Sequence, residues 1–270
     1  MKKDMHIHTN FSDGEYSPKD LLKKINEAGI TEFAICDHDN IDGAIIMQQL
    51  VKDKGIKFHM GVEISSRITE LGINVHLLCY DFDPKNAEVN KIINDLKQKR
   101  LQKALVMIDF VKDNFNYEIT EQEREKLLSE NNVIGKPHIY SLIKDKITVD
   151  KERFYRIFDD LKSDNMKADS KEVLKAFHDA GGVVVLAHAI EIEREYGIDS
   201  IKAIEFLKEH GLDGLETEHS KHTEENAKRF KSYAKQFGLF ESMGSDFHGE
   251  TVKPEAKLGV CKKIDNDLIF

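Results

Sequence analysis

The fold is indicated first by residues 4–29, whose sequence is DMHIHTNFSDGEYSPKDLLKKINEAG. This stretch opens with a strand pattern at residues 4–8 and passes through a polar loop into a helical pattern. Ser17 suits the N-cap of that helix, Pro18 suits its first turn, and Gly29 suits its end. A strand, a loop and a helix in this order form the repeating unit of α/β folds.

Further along the chain the same unit recurs. Short apolar runs predict seven strands, at residues 4–8, 32–38, 57–65, 74–82, 183–188, 212–218 and 240–246. A second helix is predicted from Ile41 to Gly55. Residues 86–180 differ, because helical patterns predominate there, at about 86–114, 121–129, 137–145 and 150–162. We therefore predict one α/β domain, formed by residues 1–85 and 181–270, with a helical insertion at 86–180.

Composition places the chain among soluble globular proteins, with 270 residues, 40% hydrophobic and 33% charged. No apolar run is long enough for a membrane span, and the N-terminal residues Met1 to His6 lack the apolar stretch of a signal peptide, so a cytoplasmic protein is expected. With a net charge of −9, the chain lacks the excess of basic residues expected of a protein that binds long duplex nucleic acid. The three cysteines, Cys36, Cys79 and Cys261, are predicted to be free thiols.

Histidines and carboxylates collect on or just after the predicted strands. Six of the twelve histidines and three carboxylates do so: His6, His8, Asp13, His38, Glu63, His76, His188, Asp246 and His248. Each alone has an ordinary structural explanation, such as a core histidine or an Asp-Gly turn. Together they favour a shared site, because α/β proteins gather functional residues at the carboxyl ends of their strands.

Such a donor set suits Zn, Mn, Fe or Mg, because it contains nitrogen and oxygen atoms but no thiolate. Nine ligands exceed the four of a tetrahedral ion, so the sequence predicts two or three divalent ions. Ions in that number would outweigh the three carboxylates, making the pocket locally positive in an acidic protein.

These residues lie in motifs that resemble the polymerase and histidinol phosphatase (PHP) superfamily. The motifs are His6-Ile7-His8-Thr9, Ser12-Asp13-Gly14, Asp37-His38, Gly61-Val62-Glu63-Ile64, His76, Ala187-His188 and Gly244-Ser245-Asp246-Phe247-His248. They occur in order through almost the whole chain. The resemblance implies a distorted (β/α)7 barrel, the PHP fold, which agrees with the seven predicted strands.

Within the superfamily the chain is most similar to stand-alone phosphoesterases that act on nucleoside 3′,5′-bisphosphates and on short RNA 5′ ends. Gly135-Lys136-Pro137-His138, in the helical insertion, points to that branch. Lys136 stands where those relatives usually have Arg. Lysine keeps the positive charge at this position but lacks the guanidinium group that binds a phosphate through two hydrogen bonds. Ala189 stands where they have Pro, which affects a loop.

The resemblance also implies roles. One ion would be held by His6, His8, Glu63 and Asp246; a second by Asp13, His38 and His248; a third by Glu63, His76 and His188. Asp246 and His188 are the catalytic candidates, although both are also ligands. A metal-bound hydroxide would attack the phosphorus atom, because coordination lowers the pKa of water towards about 7.

Substrate-binding residues are predicted from position. Lys136 and His138 flank Pro137 at a helix start, where free backbone N–H groups favour an anion. Arg67 follows Glu63 closely enough to be considered for the same pocket. Among other features, the basic run from Lys97 to Lys103 is interpreted as a solvated face or the flank of a nucleotide tail. His219 and His222 are predicted in an exposed loop, and His59, His178 and His210 as structural or surface residues.

The predicted function is hydrolysis of phosphate monoesters of small nucleotides, with short single-stranded RNA as a further substrate and no membrane partner. Two alternatives remain open: a histidinol-phosphate phosphatase, and a non-catalytic module that binds nucleotide or metal.

Overall fold

The computed structural model of the chain describes residues 2–52, 54–130, 134–159 and 166–259. Eight strands lie within these ranges: β1 (Lys3–Ile7), β2 (Glu32–Ile35), β3 (Lys57–Ile68), β4 (Ile73–Tyr80), β5 (Ala168–Asp169), β6 (Val183–Leu186), β7 (Gly214–His219) and β8 (Phe240–Gly244). The described helices are α1 (Pro18–Glu27), α2 (Asp42–Val51), α3 (Ala87–Phe115), α4 (Glu121–Glu130), α5 (Lys136–Ile143), α6 (Lys151–Asp159), α7 (Ser170–Asp179), α8 (Ile190–Tyr196), α9 (Ile201–Glu209) and α10 (Glu224–Phe237).

Seven of the strands form a nearly closed barrel in the order β1-β2-β3-β4-β6-β7-β8. A parallel bridge between Ile7 and Phe247 brings the segment after β8 beside β1. Most neighbours run parallel, but β4 is antiparallel to both β3 and β6. The predicted α/β barrel of seven strands is therefore confirmed. The short β5, which pairs only with β3, is an addition that the sequence did not predict.

Several strands end earlier than predicted. The predicted strands 32–38, 183–188 and 240–246 stop at Ile35, Leu186 and Gly244. Two residues beyond β6 and β8, His188 and Asp246 have positive φ angles of 25° and 54°, and Asp39, four residues beyond β2, has one of 51°. Extended strands cannot continue through such a conformation, which is costly for a residue with a side chain. The polar residues therefore lie in tight turns at the barrel rim.

The predicted helices occur close to their expected bounds. In α1, the Ser17 hydroxyl accepts a hydrogen bond from the Asp20 N–H, as the N-cap prediction requires. Residues 160–162 of the predicted helix 150–162 lie outside the described residues, as does Cys261. Cys36 and Cys79 are buried free thiols. None of the described helices combines the length and the apolar character needed to span a membrane.

The apolar residues form separate clusters. A barrel cluster packs α1, α2, α7, α9 and α10 against the outside of the strands, and a smaller cluster fills the barrel interior around Tyr80. The third, here called the helical cluster, consists of Ala104, Met107, Ile108, Val111, Leu127, Ile134, Ile139, Ile143 and Phe154. The long helix α3 joins two of them, because its first half packs in the barrel cluster and its second half in the helical cluster.

Phe154→Ala is expected to destabilise the helical cluster by about 3–5 kcal/mol, because it removes a buried ring and leaves a cavity. The ring is fully buried, with its centroid 5.3 Å from that of Phe115 and 5.1 Å from that of Tyr140. Urea denaturation of the full chain, followed by circular dichroism, measures the effect. Leu101→Ala, at an exposed position of α3, is the control and should change stability by less than about 0.5 kcal/mol. Equal effects of the two variants would contradict the assignment of this core.

Candidate metal centre

One oxygen of Glu63 lies among three histidines. Its Oε2 atom is 3.3 Å from the Nε2 atoms of both His6 and His8, and 3.0 Å from His38 Nδ1. His6 and His8 project together because residues two apart along an extended chain point to one side. Glu63 is fully buried in the middle of β3. Its neighbours along the strand are buried core residues on the opposite face.

The other oxygen of Glu63, Oε1, is 2.8 Å from His76 Nδ1 and 2.9 Å from His188 Nε2. His76 reaches it because β4 is antiparallel to both neighbours, so its first half lies at the rim where β3 and β6 end. His188 reaches it from the turn directly after β6. A single carboxylate therefore contacts five imidazole rings.

Asp13 lies on the far side of His8. Its Oδ1 atom is 3.3 Å from His248 Nε2 and 4.0 Å from both His8 Nδ1 and His38 Nε2. These four residues place their ligand atoms within 4.8 Å of one another. The predicted group of Asp13, His38 and His248 thus lies together, and His8 joins it.

Asp246 completes the arrangement. Its Oδ1 atom is 3.3 Å from His8 Nε2, 3.6 Å from His6 Nε2 and 3.3 Å from His248 Nδ1. Its Oδ2 atom forms an ion pair with Lys253. The structure thus brings all nine predicted ligands to one end of the barrel, and we call these nine residues the candidate metal centre.

The donor atoms fit divalent metal ions. Within the centre, five buried atoms form no hydrogen bond with any residue that the structure describes: His6 Nε2, His8 Nε2, Asp13 Oδ1, His38 Nδ1 and Glu63 Oε2. Burying polar atoms without partners costs free energy, so such a concentration needs an explanation. Imidazole nitrogens and carboxylate oxygens that converge in this way are suitable ligands for Zn, Mn, Fe or Mg.

Electrostatics within the centre support the same conclusion. Burial alone would raise the pKa values of Glu63, Asp13 and Asp246, but the histidines around them, and Lys253 beside Asp246, hold all three well below their usual values. Burial lowers the pKa of His8, yet Asp246 and Glu63 outweigh it and raise that pKa to about 9. The buried carboxylates thus attract positive charge, which divalent ions could supply in place of protons.

Glu216, on β7, is a supporting residue that the sequence analysis missed. Its Oε1 atom is 3.1 Å from His6 Nδ1, and its Oε2 atom accepts a hydrogen bond of 2.7 Å from the His188 backbone N–H. Burial would raise its pKa, but His219 and His6 lower it to about 2. It thereby orients one predicted ligand and fixes the turn that carries another. Glu216 lies on the predicted strand 212–218, just as Glu63 lies on the predicted strand 57–65, so its position could have identified it too.

Glu216→Gln is expected to weaken metal binding about 10- to 100-fold, because it removes the charge that orients His6. Titration of metal-depleted protein with Mn²⁺ measures the effect. Glu218→Gln is the matched control, since Glu218 lies on the same strand but pairs with Lys231, outside the centre. An affinity that Glu216→Gln leaves unchanged would show that Glu216 does not orient a ligand.

Arg100 belongs to the basic run on α3, for which the sequence left open a solvated face or the flank of a nucleotide tail. Its Nε atom forms an ion pair with Asp39, and its Nη2 atom donates a hydrogen bond of 2.8 Å to Ser65 Oγ. Asp39 also accepts a hydrogen bond of 2.7 Å from the Ser65 N–H. Because Asp39 directly follows His38, Arg100 fixes the turn that presents this histidine.

The prediction that His219 and His222 lie in an exposed loop is wrong. His219 is 5% exposed and ends β7, and His222 is half-buried just beyond it. Every residue of β7 is buried, including Glu218, which pairs with Lys231. Charged residues around a histidine therefore did not indicate exposure here, because each charge has a local partner.

A cavity of about 540 Å³ opens beside the candidate metal centre. Seven of the nine predicted ligands line it. The helical segment contributes Pro137, Lys151 and Tyr155, and further charged lining residues are Lys167, Glu191, Glu195, Lys221, Lys253 and Glu255. The size falls within the range of small-molecule sites, and the mixed charges would fix a ligand's orientation.

The predicted substrate-binding residues lie near this cavity but not on its wall. Its described lining includes Pro137 but not Lys136, His138 or Arg67. Burial lowers the pKa of His138, whose Nδ1 atom accepts a hydrogen bond of 3.1 Å from the Gly135 N–H. Arg67 instead donates a hydrogen bond of 3.0 Å to the Asn74 side chain.

Comparison with known proteins gives a consistent result. The PHP domain family matches residues 4–237. The 5′-3′ exoribonuclease of Haemophilus influenzae is 29% identical over 251 residues, which is 92% of this chain and 90% of that protein. The phosphoribosyl 1,2-cyclic phosphate 1,2-diphosphodiesterase of Eggerthella lenta is 24% identical, covering 93% and 95%. The 3′,5′-nucleoside bisphosphate phosphatase of Chromobacterium violaceum is 22% identical, covering 91% and 86%.

Solved structures agree with this match. A Bifidobacterium adolescentis protein assigned as a metal-dependent phosphoesterase superposes with a TM-score of 0.80 and 27% identity. The superposition covers 96% of this chain and 91% of that one, so the similarity includes the helical segment as well as the barrel.

Proposed function

The chain belongs to the PHP domain family and is a metal-dependent phosphoesterase, and we propose that it hydrolyses phosphate monoesters of small nucleotides. Nucleoside 3′,5′-bisphosphates are the proposed main substrates, and short oligoribonucleotides the second class. The observation that carries the proposal is the position of the candidate metal centre on the wall of a cavity that also contains four lysines, Lys151, Lys167, Lys221 and Lys253. Relatives named for nucleotide and RNA substrates support this choice.

We propose that the nine residues of the centre hold two or three divalent ions in the groups named from the sequence. When bound, such ions polarise phosphoryl oxygens and lower the pKa of a coordinated water. The protein's own cations attract the substrate. Burial and the nearby Arg100 lower the pKa of Lys167 to about 8. The Lys167 amino group is therefore still protonated in most molecules at neutral pH. Asp246 and His188 both line the cavity and remain the proposed catalytic residues.

We also propose that the helical segment, predicted at residues 86–180, covers the substrate pocket of the barrel. Lys151 and Tyr155 of α6 line the cavity, and Lys151 Nζ donates a hydrogen bond of 3.2 Å to the Val252 carbonyl oxygen, across from the helical segment. Lys136 and His138 lie in the first turn of α5, on either side of the lining residue Pro137. They stay candidates for contact with a second phosphate or a ribose. The α7 end of the predicted segment packs in the barrel cluster through Phe177.

The test is phosphate release from matched substrates by the metal-loaded protein. The panel contains a nucleoside 3′,5′-bisphosphate, a 5′-phosphorylated dinucleotide, phosphoribosyl 1,2-cyclic phosphate and histidinol phosphate, each with Mn²⁺, Zn²⁺, Fe²⁺ or Mg²⁺. We expect the highest kcat/KM for the bisphosphate. A preference for histidinol phosphate would overturn the proposal and support that alternative. Metal binding without hydrolysis of any ester would support a binding module.

A further inference from the structure

His219 makes one hydrogen bond to Asp246 of the candidate metal centre and a second to the Lys221 backbone, although its sequence context suggested an exposed loop. We propose that His219 is a positioning residue for Asp246, which it holds so that one carboxylate oxygen faces the metal ligands. This inference rests on the proposed function, because it assumes that Asp246 binds a metal ion.

The tautomer of His219 follows from its backbone contact. The Lys221 N–H donates a hydrogen bond of 3.1 Å to His219 Nδ1, so this nitrogen carries no proton. A neutral ring with an unprotonated Nδ1 carries its proton on Nε2. That nitrogen lies 3.1 Å from Asp246 Oδ2 and therefore donates to it. The His219 side chain is fully buried, so water does not compete for this bond.

The two carboxylate oxygens of Asp246 have different neighbours. Oδ2 is occupied by His219 and by the Lys253 ion pair, while Oδ1 remains among His6, His8 and His248. The Asp246 backbone is in the left-handed region at a φ of 54°, a conformation that persists only where surrounding contacts hold it. His219, together with Lys253, therefore holds the rotation of the carboxylate that presents Oδ1 to the centre.

The ring also fills space between neighbouring imidazoles. Its centroid is 6.1 Å from that of His6 and 5.4 Å from that of His188. A replacement must keep both this volume and the donor. Glutamine does so, because its side-chain amide nitrogen lies as many bonds from Cβ as Nε2 does. Leucine keeps much of the volume without the donor, and asparagine keeps a donor that is one bond too short.

The experiment measures Mn²⁺ binding to metal-depleted full-length protein by calorimetric titration, together with thermal unfolding and phosphate release. For His219→Leu, at least one Mn²⁺ ion should bind about 10- to 100-fold more weakly, as for other residues that orient metal ligands. His219→Gln should stay within about threefold of the unsubstituted protein. His210→Gln, at an exposed position after α9, is the control and should change nothing.

Unchanged Mn²⁺ affinity in His219→Leu would overturn the inference. Equal losses in the folded Leu and Gln variants would also overturn it, because they would show a requirement for the ring alone. If His219→Leu does not fold, the comparison of Gln with Asn decides: retention by Gln with loss by Asn supports positioning, and equal affinities contradict it. Failure of the unsubstituted protein to bind Mn²⁺ or release phosphate would instead refute the proposed function.

Discussion

His8→Ala and Asp246→Asn should each lower phosphate release at least about 100-fold, with a matching loss of bound metal. Metal ions supply several kcal/mol of transition-state stabilisation, and each 1.4 kcal/mol corresponds to about tenfold in rate. His8 Nε2 lies 3.3 Å from both Glu63 Oε2 and Asp246 Oδ1, so its removal opens the middle of the centre. Asp246→Asn keeps the shape of the side chain but removes its charge.

The measurements are initial rates at saturating Mn²⁺, metal content by mass spectrometry, and circular dichroism. Folding should survive both substitutions, because both residues are polar and lie at the barrel rim rather than in an apolar cluster. His178→Ala is the control, since His178 pairs with Asp213 away from the cavity. Either variant with ordinary turnover and a full complement of metal would refute the ligand assignment for that residue.

Gly244→Ala should disrupt the centre through one added methyl group. A Cβ atom at this position would lie 2.2 Å from His6 Cβ and 2.9 Å from Glu216 Oε1. Neither His6 nor Glu216 can move away easily, because both are fully buried and their side chains are hydrogen-bonded to each other. We expect a destabilisation of about 1–3 kcal/mol and a loss of activity about as large as that of the ligand variants.

Gly29→Ala separates this steric effect from the general cost of replacing glycine. Gly29 has a φ of 69° with open space around it, so alanine there meets only the left-handed penalty of about 1–2 kcal/mol. Activity should therefore be retained in Gly29→Ala and lost in Gly244→Ala. Equal turnover in the two variants, measured alongside their unfolding midpoints, would show that β8 and β1 are not packed as described.

Apolar patterning was sufficient to place seven strands and the main helices, because buried strands and amphipathic helices have strong periodic signals. Strand ends were less predictable. His188 and Asp246 lie two residues beyond strands and have left-handed backbone angles, which residue identity does not specify for amino acids other than glycine. The two-residue β5 pairs only through its backbone and carries no periodic signal.

Within the site, the predicted ligands were identifiable because their residue types are unusual at strand ends. The residues from distant parts of the chain that support these ligands were not identifiable from the sequence. Arg67 was chosen for its closeness to Glu63, but four residues along a strand span about 13 Å. Arg100 reaches the centre only through the packing of α3 on the barrel, which no local pattern reveals. Glu216 was missed although it lies on the predicted strand 212–218, and the charged neighbours Glu218 and Lys221 made the region of His219 resemble an exposed loop.

The continuity of α3 constrains how this protein can vary in length. The helix runs 29 residues without a break, and its two halves pack in different clusters. One residue inserted between Arg100 and Ala104 would rotate everything beyond it by about 100°, turning Met107 and Val111 away from their contacts. Lys151 and Tyr155 would be carried off the cavity with them. Seven inserted residues would nearly restore the phase but would shift everything beyond them by about 10.5 Å along the helix axis, so the length of α3 between the two clusters should be fixed.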